Sequence, residues 1–213
     1  KAGVAEKDVI STRDYLRSSG EKEGRTRKIA YLAAQGDIIR GSMADMLGND
    51  RSINPHAMAR QLRRIGSDTS IRGVIVRIDS PGGDAIASDE ILDEMKKLSR
   101  LKPMVISMSD VAASGGYYIA MTGDPVVAYP GTLTGSIGVI YGKVNLKGLY
   151  AKLGVSKEVL KRGRFADIDS DFQALSPAGR AKLRESLEFI YEGFLKRVAD
   201  GRKQKRDEIH AKA

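Results

Sequence analysis

Residues 72–116 read "RGVIVRIDSPGGDAIASDEILDEMKKLSRLKPMVISMSDVAASGG", and this stretch decides the fold. It opens on a near-continuous apolar run, 72–80, of the kind a strand buried in a parallel sheet carries. Pro81, Gly82 and Gly83 break the run. The next segment sets Ile91, Leu92, Met95 and Leu98 on one face at helical spacing. "PMVISMS" (103–109) predicts a second buried strand, followed by a short loop to Ser114. "GGYYIAMTG" predicts a helix ending at Gly123, and "PVVAYP" (125–130) a third strand. Strand, helix, strand, helix, strand is the order of βαβ units around a parallel sheet.

Working outward, "IAYLAAQGDIIRG" (29–41) predicts a first strand pair with a glycine turn at Gly36. Asn54 and Pro55 have the chemistry of a helix start, with Met58, Leu62 and Ile65 on its apolar face. Downstream, 132–144 is Gly-rich and β-prone, "LKGLYAKLG" predicts a helix and "SKEVLKRG" a strand. Residues 177–213 predict one long amphipathic helix with Ser176 and Pro177 at its start. Leu183, Leu187, Ile190, Phe194 and Val198 form its buried face. Residues 1–26 are expected to be a linker or arm from an upstream repeat, ahead of a single catalytic domain over 27–213. The opening "KAGVAEKDVI" reads as the start of an excised piece of a longer protein.

Composition narrows the chemistry. Hydrophobic residues make up 41% of 213, enough for a real core, and no run approaches the ~20 apolar residues of a membrane span. No cysteine is present, which removes disulfides, thiolate nucleophiles and Cys-based zinc sites. Only His56 and His210 could serve a Ser-His-Asp triad; His56 falls in the first turn of a surface helix. The net charge is +9, and residues 196–213 hold seven Lys or Arg against three Asp or Glu. That patch reads either as a solvated helix face or as a surface for anionic lipid or nucleic acid. No aromatic residue interleaves with it and no nucleic-acid motif is present, so nucleic acid is not expected as a partner.

Sites in parallel α/β sheets lie beyond the carboxyl ends of strands. Two unusual turns stand there: "DSPGGD" (79–84) and "SDVAASGG" (109–116). Gly82 and Gly83 can turn amide N–H groups into a pocket, and Ser114 stands at the mouth of a short helix. Gly83 and Gly115 could thus supply two amides to an oxyanion beside a Ser114 nucleophile. Taken singly, each turn has a plainer reading, since serine is a common helix cap and Gly-Gly a common turn.

"SPGGDAIASDEI", "SMSDVAASGGYYIA" and "TLTGSIGVI" together resemble the S49 peptidases, the signal peptide peptidase A family, over most of the chain from residue 29. The resemblance implies a ClpP/crotonase fold, a spiral of ββα units with a parallel sheet and, here, a long C-terminal helix. It implies membrane-bound serine proteases with a Ser–Lys dyad that degrade cleaved signal peptides and assemble into dome-shaped rings, a tetramer among them. No metal or cofactor enters that chemistry. By the same resemblance Ser114 is the nucleophile, Gly83 and Gly115 donate to the oxyanion, and Ser136 orients the lysine. Asp84, Ala85, Ile86, Leu133, Thr134 and Gly135 line the channel for an extended apolar peptide. The location implied is the bacterial inner membrane facing the periplasm, or a plant thylakoid membrane.

One departure matters. The family's short form carries its lysine in the segment matching "LKRGRFADI", where this chain has Ala166; Lys161 lies nearby, off the catalytic position. A serine hydroxyl without a base is a poor nucleophile. Long-form members are tandem duplications whose first half supplies the lysine, and "KDVISTRDYL" resembles their connecting segment. A lysine-to-alanine change or a natural loss of activity is the other explanation. The family's C-terminal ending is also missing, so truncation or disorder there is expected. Two rival functions stand: a crotonase-type acyl-CoA enzyme, and a catalytically silent scaffold half of a ring.

Overall fold

The computed structural model describes residues 27–41 and 52–213, and the linker expected over 1–26 lies outside them. In chain order the elements are β1 (Lys28–Gln35), β2 (Asp37–Ile38), β3 (Ser52–Ile53), α1 (Pro55–Ser67), β4 (Ile71–Ser80), α2 (Ala85–Ser99) and β5 (Met104–Ala113). There follow α3 (Gly115–Ile119), β6 (Val126–Val127), β7 (Leu133–Gly135), α4 (Lys147–Lys152), α5 (Pro177–Arg202) and α6 (Arg206–His210). The main sheet runs β1-β4-β5-β6, parallel at every pairing, and β7 adds in parallel to the last residues of β5. β2 and β3 make a separate two-stranded parallel sheet, so Gly36 (φ 93°) passes the chain from one sheet to another and closes no hairpin.

The core is the apolar pattern of the central segment made solid. Val74, Val76 and Ile78 of β4 and Met104, Ile106 and Met108 of β5 are buried against Ile91, Leu92, Met95 and Leu98 of α2. α1 packs on α2, α2 on α3, and α3 against α5. Asn54 caps α1 as its chemistry demands, accepting from the amides of His56 and Ala57 at 3.0 and 3.1 Å.

Several expectations need correction. The sheet is not covered on both faces: Tyr31, Ile75 and Val105, in register across three strands, are 65%, 37% and 37% exposed. β5 runs straight to Ala113 with no loop before Ser114, because its last three residues gain a partner in β7. α3 stops at Ile119, and the third strand keeps only Val126 and Val127. Residues 156–163 form no strand: Val159 and Leu160 stand together between polar runs, and no neighbouring strand pairs with them among the described residues. The C-terminal helix breaks at Lys203, which turns left-handed (φ 55°) and starts α6 on a new axis. Within α5, Phe194 and Val198 are buried as expected, whereas Leu183, Leu187 and Ile190 are half-buried. The excursion over 138–160 leaves large apolar side chains in solvent, with Ile140 98% and Leu160 89% exposed.

Candidate active site

The two glycine turns meet. Ile38 binds the first from behind: its N–H donates to the Gly82 carbonyl and its carbonyl accepts from the Asp84 N–H, both at 2.8 Å. This one-residue parallel bridge between Ile38 and Gly83 leaves the Gly83 N–H on the side away from Ile38. Gly115 lies on that side, so close that a side chain on it would come within 3.2 Å of the Gly83 nitrogen and 2.6 Å of the Ser88 hydroxyl. Neither the Gly83 nor the Gly115 amide has an acceptor among the described residues. Ser80, fully buried at the end of β4, shapes the turn by accepting from the Gly82 N–H at 3.1 Å.

Ser114 separates β5 from α3 at φ 50°, ψ −121°, a region that costs a non-glycine residue about 1–3 kcal/mol. Three contacts hold it there. Its N–H donates to the Gly135 carbonyl at 2.9 Å, its carbonyl accepts from the Tyr118 N–H at 2.8 Å, and its Cβ abuts Gly82. Its side chain makes no capping hydrogen bond to α3, which removes the plainer reading of this serine as a helix cap. The Ser114 turn opens into a cleft of about 590 Å³ that Gly83, Gly115 and Ser136 also line. Ser136 also has a positive φ, 50°.

The expected channel residues divide. Asp84 and Ala85 line the Ser114 cleft, and Ile86 faces a neighbouring one. Leu133, Thr134 and Gly135 lie outside the wall: they form β7, and Thr134 is spent on the Ala112 carbonyl at 2.9 Å. Asp84 is occupied as the cap of α2, accepting from Ala87 N–H at 2.8 Å, with Arg40 3.8 Å away. Among the described residues no lysine, arginine or histidine lines this cleft. Ala166 is exposed and off the wall. Lys161 lines a different cleft and pairs with Asp167 at 2.8 Å. Both histidines are exposed, and His210 bonds the Tyr191 hydroxyl at 2.8 Å.

The sequence did not single out Tyr118, Val139, Ile140 or Tyr141, which complete the wall with Leu187, Ile190 and Phe194. The three α5 residues were legible as an apolar face, but only the fold shows that this face is half open because it borders the cleft. Burial, then the Asp89 carboxylate it bonds, pushes the Tyr118 phenol well above its ordinary range. Tyr141 is raised by its hydrogen bond to Asp169.

Residues 96–213, more than half the chain, match the profile of peptidase family S49. The chain belongs to this family. Residues 45–133 also match the Clp protease profile. Among curated S49 relatives, the chloroplastic serine protease SPPA of Arabidopsis thaliana is 35% identical, covering 98% of this chain and 32% of that protein. Protease 4 of Salmonella typhi is 36% identical over 94% of this chain and 31% of its own length. The putative signal peptide peptidase SppA of Enterococcus faecium is 34% identical, over 85% and 53%. The chain thus spans about a third to a half of these relatives. ClpP1 from Listeria monocytogenes superposes with a TM-score of 0.50 at 15% identity, over 85% of this chain and 76% of its own, and establishes the ClpP-like fold.

Proposed function

We propose that residues 27–213 are the serine-bearing domain of a membrane-associated endopeptidase, with Ser114 as nucleophile and a lysine base supplied by another domain or protomer. One observation carries this reading: a serine held in a strained backbone, its hydroxyl unused for capping, beside two amides without acceptors among the described residues. In the reaction a neutral lysine takes the Ser114 proton as its oxygen attacks the peptide carbonyl. The Gly83 and Gly115 N–H groups hold the oxyanion. The lysine, oriented by Ser136, then protonates the leaving amine, and water releases the acyl group. Burial in the assembled site must lower the lysine from its ordinary value near 10.4.

The apolar wall of Leu187, Ile190 and Phe194 suits an extended apolar peptide, such as a cleaved signal peptide. The exposed apolar side chains over 138–160 suit the surface against which the lysine-bearing half, or the next protomer of a ring, docks. No described helix is long and apolar enough to cross a membrane. The bacterial inner membrane facing the periplasm is the location this reading assigns, with a thylakoid membrane as the alternative. The crotonase-type rival has weak support, because Asp84, the one carboxylate on the wall among the described residues, is committed to capping α2.

The test is labelling by a fluorophosphonate and turnover of an apolar signal peptide, by this chain alone and with its lysine-bearing half. Activity restored by the added half and abolished by Ser114→Ala establishes the split dyad. Silence in both settings favours the scaffold.

A further inference from the structure

We propose that Tyr118, Asp89 and Arg197 form a brace that fixes the spacing of the Gly83 and Gly115 amides, acting as positioning residues for the oxyanion site. The inference rests on the reading of Ser114 as nucleophile.

Gly83 immediately precedes Asp84, the cap of α2, and Gly115 is the first residue of α3. The separation of the two amides is therefore set by how the starts of two helices sit against each other. α3 has five residues, too few to hold a helical axis by its own hydrogen bonds, so its orientation comes from packing. Among the described residues one side-chain hydrogen bond joins the two helices: the Tyr118 hydroxyl donates to the Asp89 carboxylate at 2.6 Å. Each partner lies about one turn inside its helix.

The far side of the bond is fixed from α5. Arg197 donates from Nε to one Asp89 oxygen at 2.9 Å and from a terminal nitrogen to the other at 3.2 Å, with Asp93 3.8 Å away. Phe194, one turn earlier on α5, sets its ring 4.9 Å from the Tyr118 ring. At the other end, the Tyr118 N–H is the donor that holds the Ser114 carbonyl at 2.8 Å. The same residue therefore ties the nucleophile turn by its backbone, α2 by its hydroxyl and α5 by its ring. The hydroxyl faces Asp89 rather than the reacting atoms, which makes its role one of placement.

Placement of oxyanion donors is felt in the transition state more than in substrate binding. In the complete protein, Tyr118→Phe keeps the ring against Phe194 and removes only the hydroxyl. Expected is a fall in kcat of roughly ten- to hundredfold, less than loss of a whole donor, with KM within about twofold of wild type. Affinity for a peptide boronate, whose adduct with a serine oxygen is tetrahedral, weakens in the same proportion. Asp89→Asn, which keeps an acceptor for the hydroxyl and loses charge toward Arg197, falls between. Wild-type kcat in Tyr118→Phe, or a kcat loss with unchanged boronate affinity, overturns the brace. A wild type that neither turns over peptide nor binds boronate overturns the nucleophile reading itself, and the brace with it.

Discussion

Gly83→Ala places a methyl group where the backbone leaves no room. A Cβ at this position lies 2.0 Å from the Ile38 carbonyl oxygen and 2.9 Å from its carbon, at φ +148°. An ordinary C···O contact is about 3.3 Å, so the turn and β2 must part by more than about 1 Å. The obstacle is backbone, already engaged by the Asp84 N–H at 2.8 Å, and cannot rotate aside as a side chain would. The backbone conformation costs alanine about 1–2 kcal/mol and the weakened Asp84–Ile38 bond about 1 kcal/mol. For a chain of this size that total lowers Tm by roughly 5–10 °C. The displaced amide is also a proposed oxyanion donor, and losing such a donor costs about 100- to 1000-fold in rate. Scanning calorimetry of the chain and fluorophosphonate labelling of the assembled enzyme read the two effects separately. A variant that melts within about 1 °C of wild type and labels at the same rate would refute both the bridge geometry and the role of Gly83.

Two further outcomes follow from ion pairs. Glu94, nearly buried on α2, accepts from Arg63 through both oxygens at 2.9 Å and from Lys97 at 2.6 Å, and these bonds pull its carboxyl down to about 2. A depressed carboxyl stabilises the fold above its ordinary value and loses that contribution as pH falls toward 2. Glu94→Gln should cost about 1–2 kcal/mol at neutral pH, allowing for the exposed partners, and flatten that acid limb in urea titrations. Lys161→Ala should leave Ser114 labelling of the assembled enzyme unchanged, because Lys161 pairs with Asp167 in another cleft. A drop in labelling would restore Lys161 as a candidate base.

Legibility in the sequence tracks how local each cause is. β4, α2 and the core of β5 could be read directly because apolar periodicity and the Pro81–Gly83 break are local signals, and Asn54 and Pro55 mark a helix start by their own chemistry. The misses depend on partners far along the chain. β5 extends to Ala113 only because β7, some twenty residues on, pairs with it. Residues 156–163 offer only the adjacent pair Val159 and Leu160, and no strand lies beside them among the described residues. The nearness of Ser114, Gly83 and Gly115 was legible from the strand order, whereas the conformation of Ser114 was not, since serine gives no hint of positive φ. Arg197 and Asp89, 108 residues apart, each look like ordinary charges on an amphipathic helix.

The wall of the Ser114 cleft, free of basic side chains among the described residues, has a consequence for how such a peptidase is made. If the base comes from a separate protomer, a newly synthesised chain stays inert toward its neighbours until it assembles. No inhibitory propeptide has to be cut away and no chaperone has to cover the serine. Dilution becomes the off-switch: with the base on a separate protomer, specific activity falls as the enzyme is diluted. With both halves on one polypeptide it stays constant, so a dilution series tells the two architectures apart.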